Sequence, residues 1–150
     1  MAVERAIPYG RFKFMVEWDG MDGSTVEAGF SEVSGLDATI CVAEYRAGNS
    51  PVNTPIKIPG MTHYADVHLK RGVIGSLDLY QWFDEVSRGN VNLIRSVTIS
   101  LLDESHNDVV YRWRLRNARP VALYGPRLEA NHCAVAIEEL VLAHEGLRID

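Results

Sequence analysis

The stretch RSVTISLLDESHNDVVYRWRLR, residues 95–116, decides the fold class, because apolar and polar side chains alternate on both sides of a polar turn. The apolar set is Val97, Ile99, Leu101, Tyr111, Trp113 and Leu115, and the polar set is Ser96, Thr98, Ser100, Arg112, Arg114 and Arg116. Successive side chains of a strand point to opposite faces. Each half therefore predicts a strand with one apolar face, and residues 103–108 predict the turn of a hairpin.

Similar runs of β-branched and aromatic residues predict more strands on either side of this hairpin. They lie near residues 12–18, 28–33, 39–45, 64–69 and 132–143, and Asp-Gly pairs predict a turn at residues 19–23. The chain is thus expected to be mainly β.

One segment, residues 76–88, has the pattern of an amphipathic helix. Ser76 is placed to cap it, Asp78 lies where the helix dipole favours an acid, and Gly89 is placed to end it. Apolar residues recur at helical spacing, and the opposite face carries Asp78, Gln81, Asp84, Glu85 and Arg88. Because one helix cannot cover both faces of a sheet, we expect an antiparallel β-barrel or sandwich with one attached α-helix.

Composition indicates one domain, residues 1–150. The chain has 15 Lys and Arg against 20 Asp and Glu, a formal net charge of −5, and 47% hydrophobic residues. No apolar run approaches the roughly 18 residues that span a bilayer, and the first ten residues have no pattern of a secretory or transit peptide. The acidic balance argues against a general affinity for nucleic acid.

The periodic pattern stops at residues 46–61, which contain three prolines. We expect a long loop without secondary structure, and such loops are usually functional or mobile. We interpret this loop as an arm that a partner orders; the alternative is a mobile surface loop.

Motifs for chemistry are not evident. The five histidines lack the spacing of a metal site, and Cys41 and Cys133 are expected to be reduced thiols. The segment GVIGS, residues 72–76, lacks the lysine of a phosphate loop, and no Gly-x-Ser-x-Gly motif occurs. No enzyme activity, metal or cofactor is therefore expected. The arginines of residues 112–116 form either a basic contact surface or the solvated face of a strand.

Several segments together resemble the tail tube protein family of contractile phages and phage-tail-like injection systems. They are FSEVSGLD (30–37), EYRAGN (44–49), Pro59-Gly60, VHLKRGV (67–73), LYQW (79–82), RNARP (116–120) and AIEELVLAHEGL (136–147). Cys133-Ala134 departs from the polar pair that the family pattern has at this place.

This resemblance implies a structural protein and no catalysis. Subunits of the family form six-membered rings whose strands join into one barrel, and the rings stack into a hollow tube inside a contractile sheath. The implied partners are other copies of the chain, a sheath protein, baseplate and cap proteins, and protein cargo in the lumen. Nucleic acid is implied only for a phage tail, and the monomer does not insert into a membrane. Assembly would take place in the bacterial cytoplasm, and the product would be a phage-tail-like particle or a virion tail.

Candidate residues follow from the resemblance together with the alternation. Those for contacts between subunits or rings are Tyr9, Tyr45, Arg46, Asn49, Pro51, Asn53, Pro55, Lys57, Glu145 and Leu147. Those for the lumen are Ser96, Thr98, Ser100, Arg112, Arg114 and Arg116. Those for the outer face of the helix are Asp78, Gln81, Asp84 and Glu85.

Two alternatives are open at this point. The chain could be the tail tube of a contractile phage virion, which differs from a bacterial injection particle mainly in its genomic neighbours. It could also be a small monomeric ligand-binding β-barrel. The secreted ring protein of the type VI system is a related barrel, but FSEVSGLD and AHEGL favour the phage-tail branch.

Overall fold

Antiparallel strands make up most of the chain in this computed structural model, which describes residues 1–19 and 25–150. In this part of the chain the elements are β1 (Phe14–Asp19), β2 (Thr25–Ala28), β3 (Glu32–Ser34), β4 (Ala38–Tyr45), β5 (Ile56–Tyr64), β6 (Val67–Gly72), α1 (Asp78–Ser87), β7 (Arg95–Leu102), β8 (Val109–Tyr124), β9 (Ile137–Ala143) and β10 (Gly146–Ile149). The mainly β fold with one helix is confirmed. The turn predicted at residues 19–23 lies outside the described residues except for Asp19.

The hairpin predicted from residues 95–116 is present as β7 and β8. Val97 lies opposite Leu115 and Ile99 opposite Trp113, so the apolar side chains of the two strands share one face. On the other face, Thr98 lies opposite Arg114. A period of two was therefore sufficient to predict this pair of strands.

Strand β8 is 16 residues long and belongs to two layers. The order of paired strands is β2-β1-β7-β8-β9-β6-β3, and β10 also pairs with β8. The first part of β8 pairs with β7 and β10, and residues 119–124 pair with β9. We name β2, β1, β7, β10 and the first part of β8 the β1 layer, and β3, β6, β9 and the second part of β8 the β9 layer. Between the two parts, Asn117 has a φ of 51°, a left-handed conformation that Asn tolerates better than most residues.

The inner faces of the two layers pack on each other and form the core. Side chains of the β1 layer and the β9 layer belong to one buried cluster, which α1 joins through Leu79 and Trp82. The fully buried members are Val16, Val67, Leu69, Leu79, Trp82, Val97, Ile99, Leu115, Ala118, Leu140 and Leu142. The chain is thus a sandwich that remains open between β2 and β3, the two ends of the strand order.

Helix α1 differs from its prediction at the N-terminus. Leu77 occupies the N-cap position without a side-chain cap, and the Ser76 hydroxyl instead donates to the Asp78 carboxylate at 2.8 Å. The Asp78 carboxylate accepts the backbone N–H of Leu79 at 2.9 Å and thus replaces the predicted serine cap. At the other end, Gly89 adopts a φ of 102°, as its predicted role requires.

The reason for this difference is Arg71, a buried cation at the end of β6. Its guanidinium donates to Asp78 at 2.6 Å and to Glu138 of β9 at 2.7 Å. Only 4% of Arg71 is exposed, so both carboxylates are needed to compensate its burial. Asp78 was expected on the outer face of the helix, and that expectation is wrong, because the side chain is turned toward Arg71.

Three boundaries of the strands also differ from the prediction. The run at residues 28–33 is divided between β2 and β3, and the run at 132–143 begins only at Ile137. The run at 64–69 is divided between the end of β5 and β6. The alternation of polar and apolar residues continues where the pairing of strands is briefly interrupted. It therefore does not locate the residue at which pairing stops.

We predict that Trp82→Ala destabilises the subunit by about 3–5 kcal/mol. The Trp82 ring is fully buried, lies 6.0 Å from the Trp18 ring, and donates its indole N–H to the Leu93 carbonyl at 3.1 Å. Urea unfolding of the dispersed subunit measures the loss. Tyr80→Ala, on the exposed side of the same helix, is the control and should cost less than about 1 kcal/mol. If Trp82→Ala also lowers the free energy of unfolding by less than about 1 kcal/mol, the prediction is wrong.

The second prediction concerns Asp78 and pH. Burial alone would raise the pKa of the Asp78 carboxyl, but hydrogen bonds from Arg71 and Ser76 outweigh it and hold the pKa below its ordinary value. A carboxyl with a lowered pKa stabilises the folded state above its unfolded pKa, about 4, and this contribution is lost as the pH falls through the folded pKa.

The difference in unfolding free energy between the wild type and Asp78→Asn should therefore be largest near neutral pH and shrink below about pH 4. Urea titrations at a series of pH values measure this difference. Gln81→Ala changes no titratable group, so its difference from the wild type should not depend on pH. A pH-independent gap for Asp78→Asn would rule out the proposed linkage.

Candidate assembly surfaces

Strands β4 and β5 form a two-stranded ribbon with both faces open to solvent. In the described part of the chain they pair only with each other. All eight residues of β4 and the first eight of β5 are exposed. The expectation of a loop without secondary structure over residues 46–61 is therefore wrong for residues 56–61, which belong to β5.

A β-bulge explains why the sequence pattern missed β5. Ile40 lies opposite Thr62 and Val42 opposite Pro59, so the single residue Cys41 faces both Gly60 and Met61, and alternation is not sustained there. Proline is tolerated at bulges and at edges of sheets. Gly60 permits the close approach, because a Cβ at this position would lie 3.0 Å from the Cys41 carbonyl oxygen.

The ribbon extends the β9 layer beyond the body of the subunit. Strands β3 and β6 pair within the body, and β4 and β5 continue the same two chain segments outward. At the junction, the Ala65 N–H donates to the Asp37 carbonyl at 3.1 Å. Gly35 has a φ of 86°, and a Cβ there would lie 2.0 Å from the Asp66 carbonyl oxygen, so this position requires glycine.

Seven of the ten candidates for contacts between subunits lie together at the tip of the ribbon. The Arg46 guanidinium donates to the carbonyls of Val52 and Ser50 at 2.9 and 3.2 Å and holds the loop of residues 46–55. Lys57 lies 3.7 Å from Glu44. The other candidates in this group are Tyr45, Asn49, Pro51, Asn53 and Pro55. Exposed apolar side chains accompany them along the ribbon, namely Ile40, Val42, Ile56, Ile58 and Met61.

The N-terminal segment is attached to its own subunit. The Val3 N–H donates to the Val110 carbonyl at 2.9 Å, and the Tyr9 hydroxyl donates to the Val3 carbonyl at 3.0 Å. Arg5 binds Glu104 at 2.6 Å, and its hydrogen bonds lower the pKa of the Glu104 carboxyl to about 2. Tyr9 is thus placed beside the turn between β7 and β8.

The two candidates at the C-terminus have different surroundings. Glu145 is exposed and accepts a hydrogen bond from the Asn117 side chain. Leu147 lies opposite Leu115 and packs against the core cluster of its own chain. Its position in β10, a strand that the sequence did not predict, turns the Leu147 side chain toward the core, and a contact of Leu147 with another subunit stays a prediction.

The candidates for the lumen lie on the outer face of the β1 layer, with one exception. Ser96, Arg114 and Arg116 are exposed, and Thr98 and Arg112 are half-buried. Ser100 has no exposed surface, and its hydroxyl has no hydrogen-bond partner among the described residues. A side chain already buried in the single subunit cannot contact lumen water, so Ser100 is removed from the candidates.

A second polar face, on the β9 layer, was not singled out from the sequence. Lys70 lies directly opposite both Glu32 and Glu139, with its ammonium 3.7 Å from the Glu32 carboxylate. On the same face, the His68 ring lies 2.6 Å from Glu139. The alternation of His68 and Lys70 with buried Val67 and Leu69 is the signal in the sequence that indicates this face.

The outer side of α1 combines polar and apolar residues. Gln81 and Glu85 are exposed, as the sequence predicted, and Asp84 forms an ion pair with Arg88 at 3.0 Å. Large apolar side chains at the start of the helix are also exposed, namely Ile74, Leu77 and Tyr80. Among the described residues, no three metal-binding side chains cluster. No helix in the described ranges is long and apolar enough to cross a membrane.

Known structures with this architecture come from contractile injection particles. A chain in the six-fold symmetrised baseplate of the anti-feeding prophage is 26% identical, with 97% of each chain covered and a TM-score of 0.85. A chain in the sheath–tube complex of the extracellular contractile injection system PVC is also 26% identical, with 97% of this chain and 93% of that chain covered and a TM-score of 0.81.

More distant structures share the fold alone. Hcp1 from Flavobacterium johnsoniae is 12% identical, with 90% of this chain and 94% of that chain covered and a TM-score of 0.52. No relative among curated protein sequences matches the chain.

A family model gives the assignment at the level of sequence. The model of the T4-like virus tail tube protein gp19 matches residues 10–148, almost the whole chain, which includes both layers, α1 and the ribbon. This match and the likeness to the injection-particle structures agree with the resemblance that the sequence segments indicate. The chain belongs to the T4-like virus tail tube protein family.

Proposed function

We propose that this chain is the structural subunit of the inner tube of a contractile, phage-tail-like injection particle. Six copies form a ring, the rings stack into a hollow tube, and the tube delivers cargo through its lumen. The ribbon of β4 and β5 is the observation that carries this proposal. No catalytic step is needed, and the family is one of structural tube proteins.

An isolated two-stranded ribbon is at best marginally stable in water. This ribbon exposes six large hydrophobic side chains, Tyr45 included, and two strand edges. Exposed edges invite pairing with other chains. A neighbouring copy that covers the ribbon removes both problems. The tip, with Tyr45, Arg46 and Lys57, then contacts another subunit or the next ring.

The partners follow from the particles in which the similar structures occur. Those structures are a six-fold baseplate, a sheath–tube complex and a tube-terminating cap. We extend these partners to this chain: a six-membered ring of identical copies, a surrounding sheath, a baseplate and a cap. The exposed side of α1, with Gln81, Glu85 and Tyr80, faces the sheath. The particle assembles in the cytoplasm of a bacterium.

We propose that the lumen wall is the outer face of the β9 layer. Its strands continue into the ribbon, so the layer reaches beyond the subunit and forms a wall that passes from one ring to the next. Its polar side chains are of mixed sign, with Lys70 between Glu32 and Glu139 and with His68 beside Glu139. A wall of balanced charge attracts passing macromolecules of either sign weakly.

This proposal departs from the expectation that Ser96, Thr98 and the arginines of β8 line the lumen. The face of the β1 layer presents Arg112, Arg114, Arg116 and Arg148 close together. Such a cationic wall would hold acidic cargo instead of letting it pass. We therefore place this face on the outside of the tube, between α1 of neighbouring copies.

The alternatives have less support. A ligand-binding barrel closes around its cavity, whereas the strand order of this subunit ends at β2 and β3 and does not close. A phage virion tail tube has the same architecture, and the particle's other components distinguish it. The full-length similarity to injection-particle structures favours the injection particle.

The ribbon is tested by replacing residues 41–61 with Asn-Gly, which joins the paired residues Ile40 and Thr62 by a tight turn. We expect a folded subunit that forms neither rings nor tubes, because the replaced part makes no contact with the core. Circular dichroism and thermal unfolding measure folding, and negative-stain electron microscopy measures assembly. The control replaces only the tip, residues 47–54, with Asn-Gly, which should allow rings but weaken their stacking. If the variant without residues 41–61 forms tubes of wild-type length, the ribbon is not needed for assembly and the proposal is refuted.

The lumen wall is tested by thiol labelling in a Cys41→Ser, Cys133→Ser background, since both native cysteines are exposed. Lys70→Cys reports on the β9 layer, and Glu85→Cys, on the exposed side of α1, reports on the outside of the tube. In long assembled tubes, we expect a small maleimide to label both positions and a maleimide fixed to an agarose bead, which is larger than the whole tube, to label only Glu85→Cys. Dispersed subunits are the control and should react at both positions. Reaction of the beads with Lys70→Cys in assembled tubes would overturn the proposed lumen wall.

A further inference from the structure

The outer face of the β1 layer carries opposite charges at its two edges. One row of directly opposed residues crosses the five strands, and it reads Glu27, Glu17, Thr98, Arg114 and Arg148. At the β2 edge two carboxylates therefore lie side by side, and at the β10 edge two guanidinium groups lie side by side. With strands ~4.8 Å apart, the two edges are roughly 19 Å from each other.

Each like-charge pair is unfavourable within the subunit. Like charges directly opposite each other on paired strands destabilise a sheet. Among the described residues, no basic group lies within 4.0 Å of Glu17 or Glu27, and residues 20–24 contain no Lys or Arg that could supply one. At the basic edge, Asp150 binds Arg114 at 3.1 Å, but no described acid binds Arg148.

The basic edge is also shaped to receive an acidic side chain. A cavity of about 460 Å³ lies at this edge, and Thr98, Arg114, Arg116 and Arg148 line it. The Arg116 guanidinium uses one donor on the Glu145 carbonyl at 3.1 Å. The remaining guanidinium donors are available to a carboxylate, which arginine binds with two parallel hydrogen bonds.

We propose that the acidic edge of one copy, Glu17 and Glu27, docks on the basic edge of another copy, Arg114 and Arg148. This inference rests on the proposed tube, because it requires a second copy as the partner. The contact is head to tail: one surface of each subunit meets a different surface of the next, which generates closed rings or continuing stacks. The two carboxylates of one copy and the two guanidinium groups of the next thereby neutralise each other.

Charge exchange at Glu27 and Arg148 tests this contact. The purified full-length chain is assembled, and the protein left unassembled is measured by sedimentation, with electron microscopy of the pellet. Glu27→Arg and Arg148→Glu each place like charges in the contact, so each is expected to raise the unassembled concentration about tenfold or more. The double variant restores opposite charges and is expected to return to within about threefold of the wild type.

Stability of the subunit provides an independent readout. Glu27→Arg places a cation beside Glu17, and Arg148→Glu places an acid beside Arg114, so both single variants relieve a repulsion within the chain. Their thermal midpoints should stay at or above that of the wild type while assembly weakens. Glu85→Arg makes the same charge change on the exposed side of α1 and should assemble as the wild type does. If a charge reversal prevents folding, Glu27→Gln and Arg148→Gln are used instead. Each is expected to raise the unassembled concentration about threefold.

The outcomes separate this contact from the tube itself. Single variants that assemble as the wild type does, or a double variant no better than the single ones, overturn the contact. Normal tubes of Arg148→Glu that no longer bind the sheath would assign the basic edge to the sheath and also overturn it. A wild-type chain that forms neither rings nor tubes, alone or with its baseplate, contradicts the proposed function instead.

Discussion

The rest of the structure depends on the continuity of β8, whose backbone pairs with three other strands. Its first part holds β7 on one edge and β10 on the other, and its second part holds β9. The strand can serve both layers because Asn117, in a left-handed conformation, allows the change of direction between its two parts. One uninterrupted chain segment thus fixes how the layers meet, and the inward side chains Leu115 and Leu123 enter the same core.

Because of this arrangement, the subunit completes its core by itself but leaves its sheet edges and its ribbon open. The core is complete, because both layers and α1 contribute to one buried cluster, and Arg71 joins β6, β9 and α1 through two carboxylates. The sheet is incomplete, because the strand order ends at β2 and β3 and does not close. The ribbon is incomplete in a stronger sense, because neither its faces nor its edges are covered. A stable body with open edges is what a subunit of a larger assembly requires.

Local periodicity was sufficient for the elements whose pattern is unbroken. The alternation of residues 95–116 predicted β7 and the first part of β8, and the spacing of Leu79, Trp82 and Val86 predicted α1. The continuation of β8 from Asn117 to Tyr124 was not predicted. Features that depend on distant residues were missed. The bulge at Gly60 and Met61 hides β5, and the four residues of β10 are too few for a pattern. The partner that turns Asp78 inward, Arg71, lies on a different element, strand β6. The burial of Ser100 was also missed, because a pattern of period two places its side chain on the polar face.

The placement of charge gives these open edges a direction, and a tube is an assembly in which all subunits point the same way. A subunit that contacts its copies through identical surfaces would close into a dimer, whereas a tube needs two different surfaces on each subunit. In the β1 layer the two edges differ in the simplest way, by sign, with acids on β2 and β1 and arginines on β8 and β10. In the β9 layer the two ends differ by shape, since the ribbon projects from one end only. The same sandwich therefore carries two independent directions, and a head-to-tail assembly uses both.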